Sequence, residues 1–167
     1  YGASDDAKVA AQAMADDERH TSIADAMRTR PFWLMSLGFF VCGFTTLGLI
    51  TTHIVPYTTG DLRLNETNAA QALAVLGIFD VTGTILAGYL SDRFGRAFPL
   101  GMTYLIRAIS YLVLLNAGSP ELLLLWSVIF GVTDLATVPL VAALTGDIYG
   151  RRSMGTIYGS ILLVHQI

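Results

Sequence analysis

Four ionisable side chains stand in apolar surroundings that should not tolerate them: Asp80, Arg107, Asp134 and His165. Asp80, Arg107 and Asp134 are each the one charged residue of a run of about twenty or more. If such runs cross a bilayer, an isolated charge at their centre costs about 2.5–3.5 kcal/mol on insertion scales. The groups must then face one another or a watery cavity. Asp80 lies ten residues from Leu90, Arg107 nine from Phe98 and Asp134 twelve from Gly146. That is roughly 14–18 Å at 1.5 Å per residue, and His165 falls at a similar depth. Two chemistries suit this layer. In one, Asp80 or Asp134 takes up and releases a proton while Arg107 or His165 attracts an anion. In the other, Arg107 and a carboxylate form a static pair that fixes helix register. Either way Arg107 is expected to neutralise Asp80 or Asp134. His53 is a further candidate, either as an interfacial histidine or as part of a cavity that also involves Thr45, Thr46, Thr51 and Thr52.

The elements that must position these groups are apolar helices. The 167 residues are 53% hydrophobic and 14% charged, against about 25% charged in soluble domains. Residues 1–30 hold 10 of the 23 Asp, Glu, Lys and Arg residues, so the remainder is poorer still. The pattern predicts an all-α, polytopic transmembrane helix bundle with spans at about 32–57, 69–90, 98–117 and 120–146. A fifth span begins near 154 and reaches 167, too short to cross, so the chain is expected to be a fragment that ends within a helix. Residues 1–30 read as a solvated cytoplasmic linker, partly helical. Thr67 or Asn68 is expected to cap the second span, with Gln71 completing a capping box on Asn68. Ser119-Pro120-Glu121 opens the fourth span, and Pro139 should kink it. Gly38, Gly43 and Gly48, and the Gly155/Gly159 pair, offer flat patches for close helix approach.

Composition also excludes functions. A net charge of −3 and the lack of a basic patch with interleaved aromatics argue against nucleic acid. Cys42 is the single cysteine, so neither a disulfide framework nor a thiolate metal site is available. No secretory signal, nucleophile elbow, metal-ligand cluster or phosphate loop is present. No enzyme, cofactor or metal is expected.

The segments between spans carry a second kind of signal. Gly88-Tyr89-Leu90-Ser91-Asp92-Arg93-Phe94-Gly95-Arg96 places Asp92, Arg93 and Arg96 between two apolar runs, with Gly95 permitting a tight turn. Asp147-Ile148-Tyr149-Gly150-Arg151-Arg152 repeats its end as D-x-[FY]-G-R. Such an echo suits a repeat-built bundle. Eight basic residues (Lys8, Arg19, Arg28, Arg30, Arg93, Arg96, Arg151, Arg152) fall on one side and Arg63 on the other, which makes the first side cytoplasmic.

The pattern G-x-x-x-D-R-x-G-R resembles the signature loop of the major facilitator superfamily of secondary transporters. The order of features from residue 32 onward resembles the C-terminal half of that fold, helices seven to ten and part of eleven. Phe79-Asp80 followed by Gly88 resembles the eighth helix of the monocarboxylate-transporter-like branch, and the contexts of Thr52-His53, Arg107 and His165-Gln166 resemble its bacterial members. Thr84 stands where animal carriers of that branch place an arginine, and Ala97 where a second basic residue is common. The resemblance implies a multi-pass protein of the bacterial inner (plasma) membrane. It implies alternating access for a small solute, with an organic anion and H⁺ as expected partners, the lipid bilayer around it, and the N-terminal half of the same transporter opposite. It also implies that Gly88, Asp92, Arg93, Gly95 and Arg96 form a cytoplasmic latch, with Asp147, Gly150, Arg151 and Arg152 as a second inner loop. A drug/proton antiporter is the alternative within the family. A non-transporting sensor or scaffold is the alternative outside it.

Overall fold

The computed structural model describes residues 20–166, and the described residues contain helices and no strand. Most of the linker 1–30, with Lys8 and Arg19, lies outside them. After a single turn, α1 (Ile23–Ala26), capped by the Ser22 hydroxyl, the chain enters α2, a rod over Arg30–Asp61. Pro31 opens it, as expected of a residue whose missing N–H costs nothing there. Two stretches of α2, Phe44–Thr51 and Tyr57–Asp61, are wound wider as π-helix. Side chains match that pitch. The Thr51 and Thr52 hydroxyls each donate 2.9 Å to the carbonyl five residues back, and His53 Nδ1 lies 3.0 Å from Gly48 O.

The second span is α3 (Glu66–Phe94), which starts earlier than the sequence suggests because Asn65, not Thr67 or Asn68, is the cap. The Asn65 side chain accepts from Asn68 N at 2.8 Å and Asn68 Oδ1 accepts from Asn65 N at 3.3 Å. This reciprocal pair satisfies two orphan donors and needs nothing from Gln71. At its other end α3 runs on through Asp92 and Arg93. Most of the charged segment is therefore a helix end rather than a loop. Then come α4 (Ala97–Leu115), α5 (Pro120–Thr133), α6 (Thr137–Tyr149) and α7 (Arg151–His165). The fifth helix thus begins three residues before the expected Met154.

The fourth span is two helices, not one kinked helix. Proline has no N–H for the carbonyl four residues back, and its ring crowds that carbonyl; for Pro139 this is Leu135 O. The ladder shifts accordingly, and Val138 N donates to Leu135 O at 3.0 Å instead of to Asp134 O. The break covers Asp134, Leu135 and Ala136.

Close crossings fix the bundle. A Cβ added at Gly83 would lie 2.1 Å from Val132 O, and one at Gly131 would lie 2.5 Å from Leu76 O, so α3 and α5 touch backbone to backbone. One at Gly43 would lie 1.8 Å from His165 O, which sets α7 against α2. The Gly155/Gly159 pair meets no described neighbour within 4 Å, contrary to the close approach expected of it. Between these crossings lie two apolar clusters, one around Phe39, Val141, Ile157 and Ile161 and one around Ile54, Leu123, Trp126 and Phe130. Outside them Leu34, Ile85 and Leu115 are largely exposed, an apolar exterior suited to lipid. Among the described residues four stretches are long and apolar enough to cross a membrane: Arg30–Asp61, Glu66–Phe94, Ala97–Leu115 and Pro120–Tyr149.

The basic residues gather at one end. Thr21 N donates to Ser153 Oγ at 2.8 Å, Thr29 Oγ1 lies 2.5 Å from Tyr149 Oη, and Arg96 Nε donates to Asp147 at 2.5 Å. These contacts bring the entry to α2 and the turns after α3 and α6 together, and with them Arg28, Arg30, Arg93, Arg96, Arg151 and Arg152.

Gly83→Ala and Gly131→Ala in the full-length protein should each lower stability by about 1–3 kcal/mol, the usual cost of overpacking. Gly118→Ala, at an open turn with nothing within 4 Å, should be neutral. Thermal unfolding of the purified variants checks the difference.

Candidate functional site: an ionic layer at a broken helix

Three of the predicted residues converge on the break between α5 and α6. Asp80 is the fifteenth of the 29 residues of α3, opposite the break because Gly83 lets α3 sit directly on α5. Its Oδ1 accepts the Leu135 N–H at 2.7 Å. That amide lies in the break, one residue before the N-cap of α6 at Ala136, where a carboxylate suits the helix dipole. Asp80 is 8% exposed.

Arg107 reaches the same break from α4 and meets the other helix end. Its Nη2 donates to Thr133 O at 2.5 Å and to Asp134 O at 2.7 Å. These carbonyls stand at the C-terminal end of α5, where the ladder is interrupted and Val138 N has turned to Leu135 O, and a guanidinium there serves as a C-terminal cap. The ion pair with Asp134 Oδ1 is longer, at 3.4 Å. Nη1 donates to Cys42 Sγ at 2.7 Å, and the guanidinium carbon lies 5.4 Å from the centre of the Phe130 ring. Arg107 is 3% exposed. Its principal partners are therefore main-chain oxygens, and of the two carboxylates it pairs with Asp134.

Asp134 itself is 8% exposed and accepts the Thr46 hydroxyl at 2.6 Å. Thr46 is in the π-helical part of α2, so the widened stretch supplies a side chain to the layer, a common use of such bulges. Two carboxylates and one guanidinium thus share one broken helix, with one carboxylate in excess.

The histidines stand apart. His165 packs its ring at a tilt against Phe39, centroids 4.5 Å apart, and its Nδ1 lies 3.3 Å from Gln166 Nε2; among the described residues no hydrogen bond joins it to the layer. His53 is exposed and bonded within its own helix. It lines an apolar cavity of about 350 Å³ between α2 and α4, with Tyr57 and Tyr111. Thr46 was expected in the sequence as one of several polar residues near a cavity, but not as the partner of Asp134; Cys42 and the main-chain oxygens of Thr133 and Asp134 were not singled out as site groups. Pro139 was the one available signal, since it marks where the helix ladder is disturbed.

At the basic end the two echoing turns adopt one geometry. Gly95 has φ 79° and ψ 163°, and Gly150 φ 88° and ψ 147°, a left-handed region that favours glycine. Arg96 bridges the turns, with Asp147 on Nε and Ser91 Oγ at 3.4 Å on Nη1. Arg93 lies beside Tyr89 and over the Phe94 ring. Asp92, Arg151 and Arg152 are exposed. Gly88 has open space on its Cβ side.

Asp80→Ala should cost the full-length protein about 1–3 kcal/mol, because it leaves the Leu135 N–H at the break without its side-chain partner. Asp80→Asn, which keeps an acceptor, should cost less. Thermal unfolding of the two variants in parallel gives the comparison.

Known proteins agree with this architecture. The Major Facilitator Superfamily matches residues 4–167. YcxA of Bacillus subtilis, named an uncharacterised MFS-type transporter, is 32% identical over 149 residues, which cover 84% of this chain and 35% of that protein. Monocarboxylate transporter 12-B of Danio rerio is 28% identical over 145 residues, 82% of this chain and 29% of that protein. YhjX of Escherichia coli, another uncharacterised MFS-type transporter, is 22% identical over 148 residues, 87% of this chain and 36% of that protein. The chain spans about a third of the length of these relatives, which are named as transporters and not as enzymes. With its match over nearly every residue and its apolar helices, this chain belongs to the Major Facilitator Superfamily of transporters, as an integral, multi-pass membrane protein.

Proposed function

We propose that the complete protein carries a small organic anion together with a proton across the bacterial inner membrane, by alternating access about the ionic layer. The observation that carries this reading is the excess carboxylate. Asp80 and Asp134 share a buried break with one fixed cation, Arg107. An uncompensated negative charge at that depth is costly, and a proton on either carboxylate removes it. The groups facing the layer are Asp80 on α3, Arg107 on α4, Asp134 at the break, Thr46 on α2 and, more distantly, His165 on α7. Asp80 and Asp134 are the proton-accepting pair, and His165 and His53, which keep free ring nitrogens, are the side chains left to attract an anion. Relatives in Bacillus and Escherichia support the bacterial setting, and the name of the zebrafish relative, a monocarboxylate transporter, supports a carboxylate.

The rest of such a cavity would come from the N-terminal half of the same transporter, packed against α2, α3, α6 and α7. In this scheme the two halves rock about the midplane. The Arg96–Asp147 bridge and the exposed Asp92 and Arg93 then form the inner latch, which must loosen as the cytoplasmic side opens.

The test uses full-length protein in proteoliposomes, with internal pH recorded while small carboxylates are added outside. Acidification that follows one carboxylate is expected, and Asp80→Asn and Asp134→Asn should abolish it while leaving substrate exchange. Coupled acidification unchanged in both variants contradicts the reading. Inhibition by lipophilic cations without any carboxylate response points to drug/proton antiport, and binding without flux to a sensor.

A further inference from the structure

We infer that Arg107 is a tethered cation that fills a cation site built by the broken helix, so that the protein holds its positive charge covalently where a free alkali cation would otherwise bind. Carbonyl oxygens at the open end of a half-helix, joined by a carboxylate, are the ligand set with which broken membrane helices hold sodium. Here that set exists: Thr133 O, Asp134 O and Asp134 Oδ1. The guanidinium occupies it. Nη2 has two hydrogens, and its two shortest contacts are the two carbonyls, at 2.5 and 2.7 Å, with the carboxylate oxygen further away at 3.4 Å. A residue present chiefly to neutralise Asp134 would show the reverse order. The seat is enclosed on its remaining sides by Cys42 Sγ and the Phe130 ring.

This assigns Arg107 a positioning role: it acts through the break and Asp134, and does not touch substrate. Because the cation cannot leave, the charge that changes during any cycle must be elsewhere in the layer, and sodium has no seat there. The inference concerns the occupancy of the break and holds whether or not the transported solute is a carboxylate.

Cys42 provides a readout independent of transport. Its Sγ is buried against Arg107 Nη1, so vacating the seat should uncover it. The experiment uses full-length protein whose other cysteines, if any, are replaced, and follows maleimide labelling of Cys42 without any substrate. Arg107→Ala is expected to label at least about tenfold faster, the factor that one net hydrogen bond is worth. Guanidinium chloride at low millimolar concentration should restore protection, whereas urea, its neutral isostere, and choline chloride at equal ionic strength should not. Arg107→Lys keeps the charge but cannot fork onto two carbonyls, and should label between wild type and Arg107→Ala; it also serves if Arg107→Ala fails to fold. Protection by urea or choline equal to that by guanidinium, no change in labelling in Arg107→Ala, or Arg107→Lys labelling as fast as Arg107→Ala overturns the inference.

Discussion

A backbone that crosses a membrane must satisfy its own polar groups, and a break in a helix at mid-depth violates that rule unless side chains repair it. The structure is arranged around one such repair. The ladder is interrupted between α5 and α6, just before Pro139; Arg107 caps the carbonyls on one side, and Asp80 caps an amide on the other. Both caps carry charge, and each is the sign that the helix end it meets favours. The apolar packing serves this geometry. Without the glycine contacts of α3 with α5, Asp80 could not reach Leu135.

The repair brings ionisable chemistry into the bilayer as a by-product of backbone satisfaction. Asp134 sits in the break itself, held by Thr46 from α2 and at longer range by Arg107. Asp134 is thus held by groups from two helices, α2 and α4. A change of protonation there alters contacts on α2, α4 and the α5–α6 junction together, which is how a local event could bias a bistable bundle. The basic end is built differently, from two turns of the same backbone shape tied by Arg96 and Asp147. That bond is partly solvated, so it contributes little to stability.

Much of this was legible in the sequence, for stated physical reasons. Long runs without charge fix the helices, because few soluble elements are so apolar. Charges inside those runs mark the layer, and the repeated D-x-[FY]-G-R marks turns that need a glycine in the left-handed region. Pairing was less legible. Periodicity places Asp80, Arg107 and Asp134 at one depth but does not say that Arg107 prefers carbonyls to carboxylates. That preference follows from which main-chain carbonyls the break between α5 and α6 leaves open, which only the three-dimensional structure shows. The cap of α3 moved to Asn65 because two asparagines can satisfy each other, and a pattern that looks for Glu or Gln misses that. The small-residue pair Gly155/Gly159 has no close partner here, whereas Gly83 and Gly131, unremarked in the sequence, make the tightest crossing of α3 with α5. Glycine spacing alone does not reveal which face a neighbour will use.

The most direct measurement of the central claim is a solid-state NMR dipolar-coupling experiment on full-length protein in lipid, with ¹⁵N in the Arg107 guanidinium and ¹³C in the carbonyls of Thr133 and Asp134. The account predicts strong couplings from Arg107 to both carbonyl carbons, in keeping with nitrogen–oxygen separations of 2.5 and 2.7 Å. Coupling to the Asp134 side-chain carboxyl carbon alone, with none to either main-chain carbonyl, would contradict it and reduce Arg107 to an ordinary buried ion pair.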